Sequence, residues 1–112
     1  MRIPKDSIKV DINVEAYKTL GTMLVNLWMS FEPGNLTIDD AISLIAIKEL
    51  AERMEKKYLE YRYLPKQSIV KFKLSPTEQL VLYKHIPTIL VDADVYYQVS
   101  FTELRGIIDK SL

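Results

Sequence analysis

The 112-residue chain contains no cysteine, one histidine, one tryptophan and three glycines. Without cysteine it has no disulfide, no thiolate nucleophile and no zinc site built on sulfur. His85 is the single imidazole, so metal clusters of several histidines are excluded and acid–base pairs would have to be built around one ring. Gly21, Gly34 and Gly106 stand too far apart to make a glycine-rich phosphate loop. Apolar runs of the roughly eighteen residues needed for a membrane span are also missing. Asn26 interrupts one candidate run and Lys48 ends the other. No apolar stretch follows Arg2 and Lys5, which does not read as a secretory signal, and a soluble, cytoplasmic protein is expected. Fifteen Lys plus Arg balance fifteen Asp plus Glu, so the global charge exerts no pull on a polyanion.

What is present suits one packed domain over residues 1–112. Hydrophobic residues make up 48% and charged residues 27%, as in ordinary globular chains. A chain of this size buries roughly 60 to 70% of the surface its unfolded form exposes, so no covalent staple is required.

Apolar periodicity predicts a mainly α fold, about four helices in a compact bundle with one short two-stranded β element. Ile8, Val10 and Ile12 alternate with Lys9 and Asp11, the period of a half-buried strand. From Asn13 as N-cap, Val14, Tyr17, Leu20, Leu24, Leu27, Trp28 and Phe31 form one helical stripe, which Pro33 and Gly34 stop. Gly21 beside that stripe suggests a close backbone approach. Thr37, followed by Asp39 and Asp40, reads as the start of a second helix that ends by Pro65. Its front, Ala41 to Ile47, is apolar nearly all round, which implies enclosure by its own fold or a partner. Glu49 with Arg53, and Glu52 with Lys56, have favourable i,i+4 spacing on a wet face.

Val70, Phe72 and Leu74 give a second strand signal that can pair with Ile8 to Ile12. Ser75, Pro76 and Glu78 form a capping box with proline at the first helical position, and this third helix is expected to stop before Pro87. Thr88 to Val91 reads as extended. A last helix capped by Asp92 or Asp94 carries the stripe Tyr97, Phe101, Leu104 and Ile108, its rival being a strand over 95–101.

The chemistry-bearing residues are few. His85, two residues before a proline, reads as an imidazolium at a helix end, where it complements the dipole. The pairs Asp39–Asp40 and Asp92–Asp94 resemble magnesium or acid–base carboxylates but fall where helices begin, and capping accounts for them. No catalytic residue, metal site, cofactor or small-molecule substrate is therefore expected. Asn35 to Thr37 spells a glycosylation acceptor, read as a cap because no signal precedes it.

Two non-catalytic functions remain. The first is a protein-interaction or assembly subunit, self-associating or bound to another protein, with Met23, Trp28, Met29, Ile42 and Ile45 as candidate interface. The second is nucleic-acid binding through Lys56, Lys57, Arg62, Tyr63, Lys66, Lys71 and Lys73. That stretch belongs to the span 48–73, which holds eight cations against four carboxylates. Tyr58 and Tyr61 fall on the apolar stripe, which gives the competing view of core tyrosines with a solvated basic rim.

Overall fold

The computed structural model describes residues 3–31 and 34–112. The order is strand β1 (Ile8–Asn13), helix α1 (Val14–Met29), helix α2 (Ile38–Tyr61), strand β2 (Ile69–Leu74), helix α3 (Pro76–Asp92) and helix α4 (Val95–Ser111). The two strands pair antiparallel, Val10 against Phe72 and Ile12 against Val70. Alternation turns these four side chains and Leu74 inward, and leaves Lys9, Asp11, Lys71 and Lys73 in solvent.

An isolated two-stranded sheet is marginal in water, so the helices that cover its inner face decide its stability. Leu20 and Leu24 of α1, Ile47, Leu50 and Met54 of α2, Leu82 and Ile86 of α3, and Phe101, Leu104 and Ile108 of α4 join it in one apolar cluster. Each such side chain contributes about 1.5–3 kcal/mol on burial. Helices α1 and α2 run antiparallel, since Gly21 faces Met54 and Trp28 faces Lys48. Gln79 is buried as well. Its amide donates to the carbonyls of Asp6 (2.9 Å) and Leu74 (3.2 Å), and its oxygen accepts from Ser111 Oγ (2.8 Å).

Local capping explains three helix starts. Asn13 Oδ1 accepts from the Ala16 N–H at 2.7 Å, and Thr37 Oγ1 from the Asp40 N–H at 3.1 Å. Ser75 and Glu78 exchange both bonds of the capping box, at 3.2 and 2.8 Å. The end of α1 is closed by Ser30, whose N–H bonds the carbonyls of Asn26 and Leu27. Pro33, expected as its stop, lies outside the described residues.

Several expectations are corrected. Helix α3 passes through Pro87 to Asp92, so Thr88 to Val91 is helical rather than extended. Proline in a helix interior removes the donor for the carbonyl four residues back, here that of Tyr83. Arg105 Nε donates to that carbonyl instead, at 3.3 Å. Asp92 ends α3, and Asp94 holds the N-cap position of α4 without a side-chain capping bond. Residues 95–101 are helical, and the rival strand is absent. Arg53 pairs with Glu78 at 2.7 Å and with the Lys73 carbonyl at 2.8 Å rather than with Glu49 on its own helix. Opposite Gly21 stands the Met54 side chain at 3.8 Å, not a backbone.

Candidate functional site

Helix α2 carries candidates of both kinds, Ile42 and Ile45 in its first half and Lys56 and Lys57 in its second. In the first half, Ser43 and Ile47 turn to the core, while Ile38, Ile42 and Ile45 are 80%, 57% and 59% exposed. Spacing of four and three residues puts those three isoleucines on one stripe. The apolar front is thus enclosed on one side only. Met29, at the end of α1, is also exposed. Met23 and Trp28, the other two candidates, lie half-buried against the core, with the Lys48 ammonium 5.5 Å from the Trp28 ring centroid. The five candidate interface residues therefore divide into three exposed and two packed.

The basic candidates, which run from the second half of α2 through the following turn into β2, also divide. Lys56, Lys57, Lys71 and Lys73 line an open groove of about 370 Å³ between α2 and β2, together with Arg53 and Glu60. Its floor is Tyr17 and Phe72. Arg62 and Lys66 line a different hollow beside Glu15 and Tyr97. Tyr63 is exposed, but the Arg62 guanidinium lies 4.8 Å from its ring centroid and donates to its hydroxyl at 2.7 Å. Tyr58 and Tyr61 pack against the core, so neither offers an open face for a base. Tyr17 meets Tyr61 and Phe72 edge-on, and its phenol is pushed up to about 12, by burial first and then by Tyr61.

Ion pairs neutralise part of the groove. Lys57 pairs with Glu60 at 3.2 Å, Lys71 with Asp11, and Arg53 with Glu78. Among the described residues no carboxylate reaches Lys56 or Lys73.

His85 does not lie at a helix end, because α3 continues for seven residues beyond it. Its Nε2 is buried without a hydrogen-bond partner among the described residues, and its ring meets Phe31 edge-on with centroids 6.5 Å apart. Burial, then the Lys84 charge, hold its pKa below 6.5 against the opposing pull of Asp40. The imidazolium role at the dipole is thus replaced by a ring whose surroundings favour the neutral form. Among the described residues no three of histidine, aspartate and glutamate gather in metal-binding geometry. Nor is any helix among the described residues long and apolar enough to cross a membrane.

One surface escaped sequence reasoning. Val91, Val95 and Val99 are exposed around the α3–α4 corner. The signal was the β-branched content of 95–101, which reads as strand propensity and here marks outward valines on a helix. No protein-family model, curated protein or solved structure matches the chain.

Proposed function

We propose that this protein is a non-catalytic interaction module that joins a larger assembly through the first half of α2. The observation that carries the reading is the outward stripe Ile38, Ile42 and Ile45. Single exposed apolar residues are ordinary, but three large aliphatics in line along one helix form a face that association would remove from water. Fully covering one isoleucine stabilises a complex by about 1.5–3 kcal/mol before the cost of association is subtracted. A formal net charge of +0 leaves no long-range repulsion between copies, which favours self-association through this face.

Size-exclusion chromatography with light scattering, recorded at 260 and 280 nm on protein from its native source, tests the proposal. A mass above the monomer, reduced to the monomer by Ile42→Asp, supports it. Monomer for both proteins over the whole concentration range sinks it. A peak rich in 260 nm absorbance and insensitive to Ile42→Asp favours nucleic acid instead.

A further inference from the structure

We propose that the outer edge of β2 binds an extended acidic peptide, which adds to the sheet as a third strand. This inference uses none of the isoleucines of α2, and either surface can fail without the other.

The edge is defined by backbone parity. The Val14 N–H bonds the Ser68 carbonyl at 2.9 Å, which continues the β1–β2 ladder and directs alternate residues from Ser68 to Leu74 toward β1. Ile69, Lys71 and Lys73 therefore turn their N–H and C=O groups away from β1. The Lys73 carbonyl confirms this direction, since Arg53 of α2 donates to it at 2.8 Å. Among the described residues no hydrogen bond from outside the sheet reaches the other outward groups of Ile69, Lys71 and Lys73. A row of alternating donors and acceptors is a template for another strand. The open groove beside it separates β2 from α2. A paired strand would lie about 4.8 Å from β2.

Charge selects the occupant. Lys71 and Lys73 stand on the edge strand, and Lys56 and Lys57 on the facing bank. The one carboxylate lining the groove, Glu60, is already paired with Lys57. Lys73 lies directly opposite Lys9 on β1, a like-charge pair that costs stability. A carboxylate on an added strand beside Lys73 offsets that repulsion, as Asp11 does for Lys71 from the other side. Lysines on an edge strand repel indiscriminate pairing, and only a strand with acids at alternate positions satisfies them. Phosphate oxygens can only accept, so a DNA backbone would leave the outward carbonyls unmatched. The aromatic rings of the groove are buried in its floor, where bases cannot stack on them.

The test uses the full chain, labelled with ¹⁵N, and an acetylated, amidated octapeptide of alternating Glu and Thr. Comparison probes are the same peptide with Gln for Glu and a short oligothymidylate. The Glu–Thr peptide is expected to bind and to slow hydrogen exchange at the amides of Ile69, Lys71 and Lys73. Lys71→Glu combined with Lys73→Glu should weaken binding about tenfold, the equivalent of two exposed ion pairs. If that protein is not folded by its NMR dispersion, Lys71→Gln with Lys73→Gln takes its place. Lys71→Pro removes an outward N–H while leaving the ladder to β1 its own donors, and should abolish the protection although Lys56 and Lys57 remain. The proposal is overturned by no binding at millimolar peptide, by binding that leaves those three amides unprotected, or by oligothymidylate binding tighter than the peptide.

Discussion

Arg105 of α4 donates from Nε to the carbonyl of Tyr83 in α3 at 3.3 Å, and its guanidinium lies 4.1 Å from the Tyr83 ring centroid. That carbonyl is the one whose helical donor is missing, because residue 87 is proline. A side chain 22 residues away along the sequence thus lets α3 continue past a helix breaker. Pro87→Ala supplies the missing N–H and should stabilise the fold by about 1–3 kcal/mol. Arg105→Ala should cost about 1 kcal/mol in the parent protein and clearly less beside Pro87→Ala. Urea unfolding of the four proteins measures the coupling, and strictly additive effects would contradict the explanation.

Gln79 ties three distant segments, namely residue 6 before β1, the end of β2 and the end of α4. Gln79→Leu keeps the volume close and leaves the carbonyls of Asp6 and Leu74 without that donor. The expected loss is about 1–3 kcal/mol, read from chemical denaturation. Faster hydrogen exchange at Ser111 and in the segment that leads into β1 should accompany it, since the same side chain bonds Ser111 and Asp6.

Acid should destabilise the protein partly through His85. Its folded pKa lies below 6.5, chiefly through burial, so from pH 6.5 downward the unfolded chain takes a proton that the folded ring refuses. The stability that depends on neutral His85 is complete above that pH and is lost as pH falls through the folded pKa. His85→Phe keeps a flat ring against Phe31 and removes the titration. The difference in unfolding free energy between His85→Phe and parent should grow in favour of the variant between pH 7.5 and 5. A pH-independent difference would show that His85 ionises alike in both states.

The parts of this fold that sequence could reveal are those decided within a few residues. Asn13, Thr37 and the Ser75–Glu78 box complete their bonds three residues away, and the alternation at Val10, Ile12, Val70 and Phe72 reports a buried face directly. What sequence missed depends on a remote partner. Pro87 reads as a stop until Arg105 reaches Tyr83, and Arg53 reads as Glu49's partner until Glu78 comes within 2.7 Å. The candidate surfaces were visible as residue types but not as geometry. Periodicity marked Ile42 and Ile45 as apolar, yet only the packing of α2 against α1 and α3 decides that they face out while Ser43 and Ile47 face in. Likewise the basic run is continuous in sequence, but the turn after α2 sends Arg62 and Lys66 to one hollow and carries Lys71 and Lys73 to another.

Two glycines sit inside helices with no backbone reason to be there. Gly21 and Gly106 both have ordinary negative φ, and neither turns a corner. A Cβ at residue 21 would meet Met54 Cβ at 3.8 Å, an ordinary van der Waals contact, whereas one at residue 106 would meet nothing within 4 Å. Glycine in a helix interior is less favourable than alanine by about 0.8–1.0 kcal/mol. Gly106→Ala should therefore gain about that much from propensity alone, and Gly21→Ala slightly more, because its new methyl also packs against α2. Thermal unfolding of each variant tests this, with a rise of several degrees expected for a domain of this size. Loss of stability in Gly21→Ala alone would mean that α1 and α2 approach more closely than the Met54 contact allows.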